Sequence, residues 1–104
     1  MGRPRPVKKT EQGKTRPVLI IQNDVGNERS PVTIVACITN NLDRKDYPTN
    51  VCVLAKGTGL ASDSVVLLNQ IRTIDKTRLR SKTGHVPAHK MLEVDEALKI
   101  SLGL

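Results

Sequence analysis

Arg16 stands directly before Pro17 in the stretch EQGKTRPVLIIQND, where a polar, glycine-bearing loop runs into branched aliphatic residues. A proline holds the residue before it in extended backbone, so the Arg16 side chain leaves the chain from a defined place. Its guanidinium is a rigid fork of donors suited to phosphate oxygens. Thr39 closes the run VTIVACIT and carries a hydroxyl at a strand end. Taken alone, both residues also suit plainer roles, a solvated charge where a strand begins and an ordinary strand threonine. Other chemistries find less support. His85 and His89 are four apart, but Pro87 between them breaks the spacing that would put both on one helical face. Cys37 and Cys52 lie in strand candidates and form no CxxC pair, so no metal or other cofactor is expected. There is no phosphate-cradling glycine motif and no serine nucleophile elbow. The aspartates are scattered, against a two-metal nuclease site.

The elements that must position Arg16 and Thr39 are short. PVLIIQN (17–23), VTIVACIT (32–39), NVCVLA (50–55) and SVVLLNQIRTID (64–75) read as strands from their branched aliphatic runs. Residues 24–31 and 40–49 read as polar connections, and 56–63 as a glycine-bearing turn. Residues 76–86 read as a basic helical turn ending near Gly84. From Pro87 onward Met91, Val94, Leu98 and Leu102 share one helical face beside Ala97, and Asp95 and Lys99 are spaced as an ion pair. Four strands and a terminal amphipathic helix predict a small, mostly antiparallel barrel or sheet capped by that helix. Residues 1–9 read as an extended basic arm, and 10–104 as a single domain.

The chain has 104 residues and a net charge of +7. Its core must be aliphatic, because it has no Phe, no Trp and only Tyr47. Without aromatics it has no stacking platform for single-stranded nucleic acid, so any such contact must use charge, hydrogen bonds and aliphatic surface. The positive charge gathers in two zones, +5 over residues 1–16 and +4 over residues 72–82. Both invite an anionic partner through salt-sensitive binding. Two cysteines are too few for a disulfide framework and read as reduced thiols of a cytoplasmic protein. No apolar run is long enough for a membrane, and no hydrophobic segment near Met1 suggests a signal peptide.

Several blocks taken together, TEQGKTRPVLIIQND, SPVTIVACIT, DSVVLLNQIRTIDKTRL and VDEALKISLGL, resemble the MazF/PemK family of toxins in that family's order and spacing, over roughly residues 6–104. The resemblance implies a small SH3-like barrel of the MazF/CcdB type, mostly β with a C-terminal helix, working as a homodimer. It implies metal-independent cleavage of single-stranded RNA by attack of a ribose 2′-OH on the adjacent phosphate. It implies a cognate antitoxin whose acidic tail lies across the RNA groove. Arg16 and Thr39 fall on the family's catalytic positions. Thr10, Glu11 and Gln12 fall on its RNA-contacting loop, and Asn69 and Gln70 on a further RNA-binding pair, with Thr10 and Asn69 differing from the usual residues. Arg72 is left as a surface or structural charge. The family usually opens with another strand, for which MGRPR is a poor substitute, so the first strand is expected to be missing or replaced. Either a start further upstream or a degraded toxin would account for that, and the alternative function is a non-catalytic module that binds RNA or antitoxin. A gyrase-directed poison of related fold is a third class, without support in these blocks.

Overall fold

The chain alternates hairpins with short connections in the structure, a computed structural model that describes residues 3–12 and 14–104, with the side chains of residues 11, 12, 14, 25 and 27 outside the description. Strands β1 (Arg5–Gln12) and β2 (Lys14–Ile20) are followed by helix α1 (Asp24–Arg29) and strand β3 (Val32–Thr39). Then come β4 (Asn50–Val53), β5 (Ser64–Asp75), β6 (Leu79–Val86) and helix α2 (Ala88–Leu102). Among the described residues the six strands form one sheet in the order β4-β5-β3-β2-β1-β6, with every pair antiparallel.

That order requires the sheet to curl. Three strands separate β5 from β6, yet only the 3-10 turn Lys76–Arg78 joins them. On a flat sheet β6 would lie four spacings from β5, about 19 Å away. Four Cα steps, from Asp75 to Leu79, reach about 14 Å at most. The far end of β5 therefore bends over the sheet face to meet the start of β6, which gives the barrel-like shape.

Each face of the curled sheet carries its own apolar cluster. Leu19 and Ala36, with Val7, Ile38, Val66, Leu68 and Val86, face α2, which contributes Met91, Val94 and Ala97. Val18, Ile20, Val35 and Ile74 form a smaller cluster on the other face, against which Leu79 packs. Successive strand residues point to opposite faces, so the unbroken VLI run of β2 serves both clusters. Helix α2 ends at Gly103, whose φ of 71° is the left-handed conformation that glycine adopts readily.

Several expectations are corrected. The N-terminal segment is a paired strand: β1 hydrogen-bonds to β2 on one side and β6 on the other, and the expected boundary at residues 9/10 falls inside it. Pairing on both sides holds it, with Val7 alone needed to anchor its core face. Residues 79–86 are strand β6 rather than a helical turn, held at the sheet edge by pairing with β1. Residues 24–29 are helix α1, because the Asn23 side chain caps it by accepting from the Gly26 N–H at 2.8 Å. Leu102 is exposed instead of sharing the buried face of α2. Lys99 pairs with Glu96 at 3.5 Å.

Candidate active-site groove

Arg16 and Thr39 come together through strand register. β2 and β3 pair Ile20 with Val35, Leu19 with Ala36 and Val18 with Cys37. The pairing ends there; continued by two residues in opposite directions, that register would bring Arg16 level with Thr39, and both line one groove. On its other side Arg16 pairs with Thr10 of β1, whose hydroxyl donates to the Arg16 carbonyl at 3.4 Å. The row Thr39–Arg16–Thr10 thus crosses three adjacent strands on one sheet face. It forms part of the wall of a groove of about 740 Å³.

The groove is cationic and carries hydroxyls and amides. Arg16, Arg44 and Arg72 line it together with Thr10, Thr39, Asn40, Asn41, Gln70 and Ser62, over a floor of Val18, Val35, Cys37 and Ile74. Among the described residues no Asp or Glu lies in that lining. The Arg16 side chain is exposed and has no hydrogen-bond or ion-pair partner among the described residues. The Thr39 Oγ1 accepts from the Asn41 N–H at 3.2 Å, which leaves its O–H to donate into the groove.

Arg44 is placed by the β3–β4 connection. The Asn41 side chain accepts from the Asp43 N–H at 3.1 Å and caps the 3-10 turn Leu42–Arg44. The buried Asn50 side chain donates to the Arg44 carbonyl at 2.8 Å and accepts from the Thr49 hydroxyl at 3.2 Å. These ties fasten an otherwise exposed loop to the groove edge.

The structure gathers Arg16, Thr39, Thr10 and Gln70 in this groove. Asn69 is exposed and does not line it. Glu11 and Gln12 belong to the paired end of β1, opposite Thr15 and Lys14, and their side chains lie outside the described residues. Arg72, opposite Val35, and Arg44 are groove residues that the sequence reading did not place there. His85 is in β6 and His89 in α2, both exposed. Cys37 and Cys52 are free thiols, and among the described residues no helix is long and apolar enough to cross a membrane.

A curled sheet capped by a C-terminal helix, with an arginine-lined groove on its outer face, defines a small anion-handling module. Residues 3–102 match the model of the PemK-like, MazF-like toxins of type II toxin-antitoxin systems. The chain is 54% identical over 99 residues to Endoribonuclease MazF of Staphylococcus epidermidis, covering 95% of this chain and 82% of that protein. It superposes on the Mycobacterium tuberculosis toxin MazF-mt6 with a TM-score of 0.87 at 30% identity, over 96% of this chain and 98% of the other. An endoribonuclease in complex with its cognate antitoxin, from a mycobacterial species, matches with a TM-score of 0.83 at 26% identity, over 95% and 92% of the two chains. The chain belongs to the PemK/MazF toxin family.

Proposed function

We propose that this chain is the toxin of a type II toxin-antitoxin pair, an endoribonuclease that cuts single-stranded mRNA at short sequences without a metal ion and so arrests translation and growth. The name of its relative at 54% identity supports the reaction class. The observation that carries the reading is the gathering of Arg16 and Thr39 in one groove whose lining, among the described residues, has no carboxylate.

In the proposed reaction the 2′-oxygen of one ribose attacks the adjacent phosphorus and the 5′-oxygen of the next nucleotide leaves. The products are a 2′,3′-cyclic phosphate and a 5′-hydroxyl. The attacking hydroxyl gives up its proton, and the leaving oxygen takes one. Negative charge builds on the non-bridging oxygens. The guanidinium of Arg16 stabilises that charge, with the Thr39 hydroxyl as a second donor. Arginine holds its proton too tightly to be the base. Thr10, Gln70, Arg44 and Arg72 would hold the substrate, with Glu11 and Gln12 at the hairpin end and Asn69 free to meet RNA beyond the groove. Arg44 and Arg72 supply positive charge on the opposite side of the groove from Arg16.

The toxin would act in the cytoplasm as a homodimer, and an antitoxin with an acidic tail would silence it by occupying the cationic groove. The non-catalytic alternative drew on an absent first strand, and β1 supplies a strand beside Arg16. The test is incubation of purified, folded protein with a panel of single-stranded RNAs in EDTA. Cuts should leave cyclic phosphate and 5′-hydroxyl ends, and a 2′-deoxy substitution at the cut should abolish them. A panel left uncut would remove the reading.

A further inference from the structure

A second, smaller groove of about 330 Å³ lies on the same sheet face, with Lys8, Lys76 and Arg80 over Ile20, Leu79 and Pro6. Among the described residues its lining contains no acid. Lys8 is set directly opposite Lys82 on β6, and like charges in that position destabilise a sheet. Lys8, Lys76 and Lys82 have no carboxylate partner among the described residues. Asp75, the nearest acid along the chain to Lys76, is committed to the Thr77 N–H at 3.1 Å and the Thr77 hydroxyl at 2.9 Å.

The cluster is also built by backbone irregularity. Register shifts flank Lys8 on both sides: Val7 pairs with Gly84, Lys8 with Lys82, and Thr10 with Leu79. Each shift places an extra residue in β6, and bulges of this kind redirect side chains. Half-buried lysines gathered without a counter-charge among the described residues carry an electrostatic cost that an external anion would relieve.

Position in the fold indicates which anion. Lys8 pairs with Val18 and Thr10 pairs with Leu79, and Val18 and Thr10 belong to the large groove. The two grooves therefore adjoin across β1 and β2. From Arg16 to Lys8 is one strand across and two residues along, about 8 Å between Cα atoms. A chain of phosphates with one member at Arg16 runs next to Lys8. The floor of Ile20, Leu79 and Pro6 offers aliphatic surface and no base-reading pattern. We propose that the second groove binds the phosphodiester backbone of the RNA flanking the cut, through Lys8, Lys76 and Arg80, and so makes affinity depend on substrate length rather than on flanking sequence. The identity of the ligand rests on the endoribonuclease reading.

The test uses labelled RNAs made uncleavable by 2′-deoxy substitution, one short enough to fill only the large groove and one extended beyond it. Dissociation constants are measured by anisotropy across a salt series for the wild type, K8A/K76A and K8Q/K76Q. Extension should tighten binding to the wild type. Both variants should lose that gain and still bind the short RNA as the wild type does, which also reports an intact fold. With two phosphate contacts gone, the log–log salt slope for the long RNA should flatten by about 1.4, or about sevenfold in affinity between about 50 and 200 mM salt. Equal effects on both lengths, or an unchanged slope, would overturn the proposal. So would protection of Lys8 and Lys76 from reductive methylation by a Glu-rich peptide but not by the long RNA, which would assign the groove to a protein. If the wild type cuts nothing yet keeps the length-dependent gain, the cleavage reading falls and this one stands.

Discussion

Replacing Arg16 by alanine separates a catalytic charge from a structural one. The side chain is exposed and has no partner among the described residues, and the Thr10 hydroxyl bonds only to its backbone carbonyl. Folding stability should therefore change by no more than about 0.5 kcal/mol. The reaction should lose about 2.7–4 kcal/mol of transition-state stabilisation, a fall of about 10²–10³ in kcat. Arg16→Lys keeps the charge and loses the fork, so its rate should lie between those of alanine and wild type. Thr39→Val removes the second donor and frees the Asn41 N–H, which water can reach in that exposed loop. If Arg16 and Thr39 act on one phosphate, the double variant should lose less than the sum of the single losses. The assay is single-turnover cleavage of a fluorescent RNA in EDTA, with thermal melts on the same preparations. A folded Arg16→Ala protein that cuts within threefold of wild type would refute the reasoning, and so would a rate loss that merely follows a fall in Tm.

Asn50→Ala should cost about 1–3 kcal/mol in urea melts, because it strands the Arg44 carbonyl, and should lower kcat/KM by loosening the loop that carries Arg44. Gly84→Ala would drive a Cβ into the Thr58 carbonyl, beneath the loop that supplies Leu60, Ala61 and Ser62 to the groove. It should cost about 1–3 kcal/mol and slow cleavage. Gly57→Ala, in open space at a φ of 85°, should strain only its own backbone and leave kcat/KM alone. The Thr77 N–H, and then its hydroxyl, hold the Asp75 carboxyl below its ordinary pKa. A group depressed in the folded state stabilises above its unfolded pKa and ceases to do so as pH falls through the folded one. The Tm gap between wild type and Asp75→Ala should therefore be widest near neutral pH and close in strong acid.

The aliphatic strands and the helix were legible because their patterns are local. VLI in β2 and VTIVACIT in β3 carry enough branched apolar residues to announce buried strands without knowledge of their neighbours. β1 and β6 were not legible for the opposite reason. RPVKKTEQ and LRSKTGHV are polar sequences that become strands because partners on the sheet satisfy their backbones. The prolines and charges that argue against a strand in isolation are tolerated there. Helix α1 has a cap in Asn23, but the glycine inside DVGNER lowers its helix propensity and its residues suit a turn equally well.

The site divides in the same way, and β5 shows why. Between the pairs Cys37–Leu67 and Ala36–Ile71, β3 advances one residue and β5 advances four, so Leu68, Asn69 and Gln70 are extra. Leu68 turns into the core and donates its N–H to the Thr49 carbonyl at 3.0 Å. Strict alternation from Leu67, a groove residue, would put Asn69 and Ile71 on the groove face and aim Arg72 at the core. Three extra residues are an odd number, so the parity reverses. Gln70 and Arg72 reach the groove, and Asn69 is left outside it. Arg16 and Thr39 needed no such device, since the alternation of β2 and β3 carries both onto the groove face. Arg72 could be assigned only once the bulge was seen, because its face depends on a count of unpaired residues that no local pattern encodes.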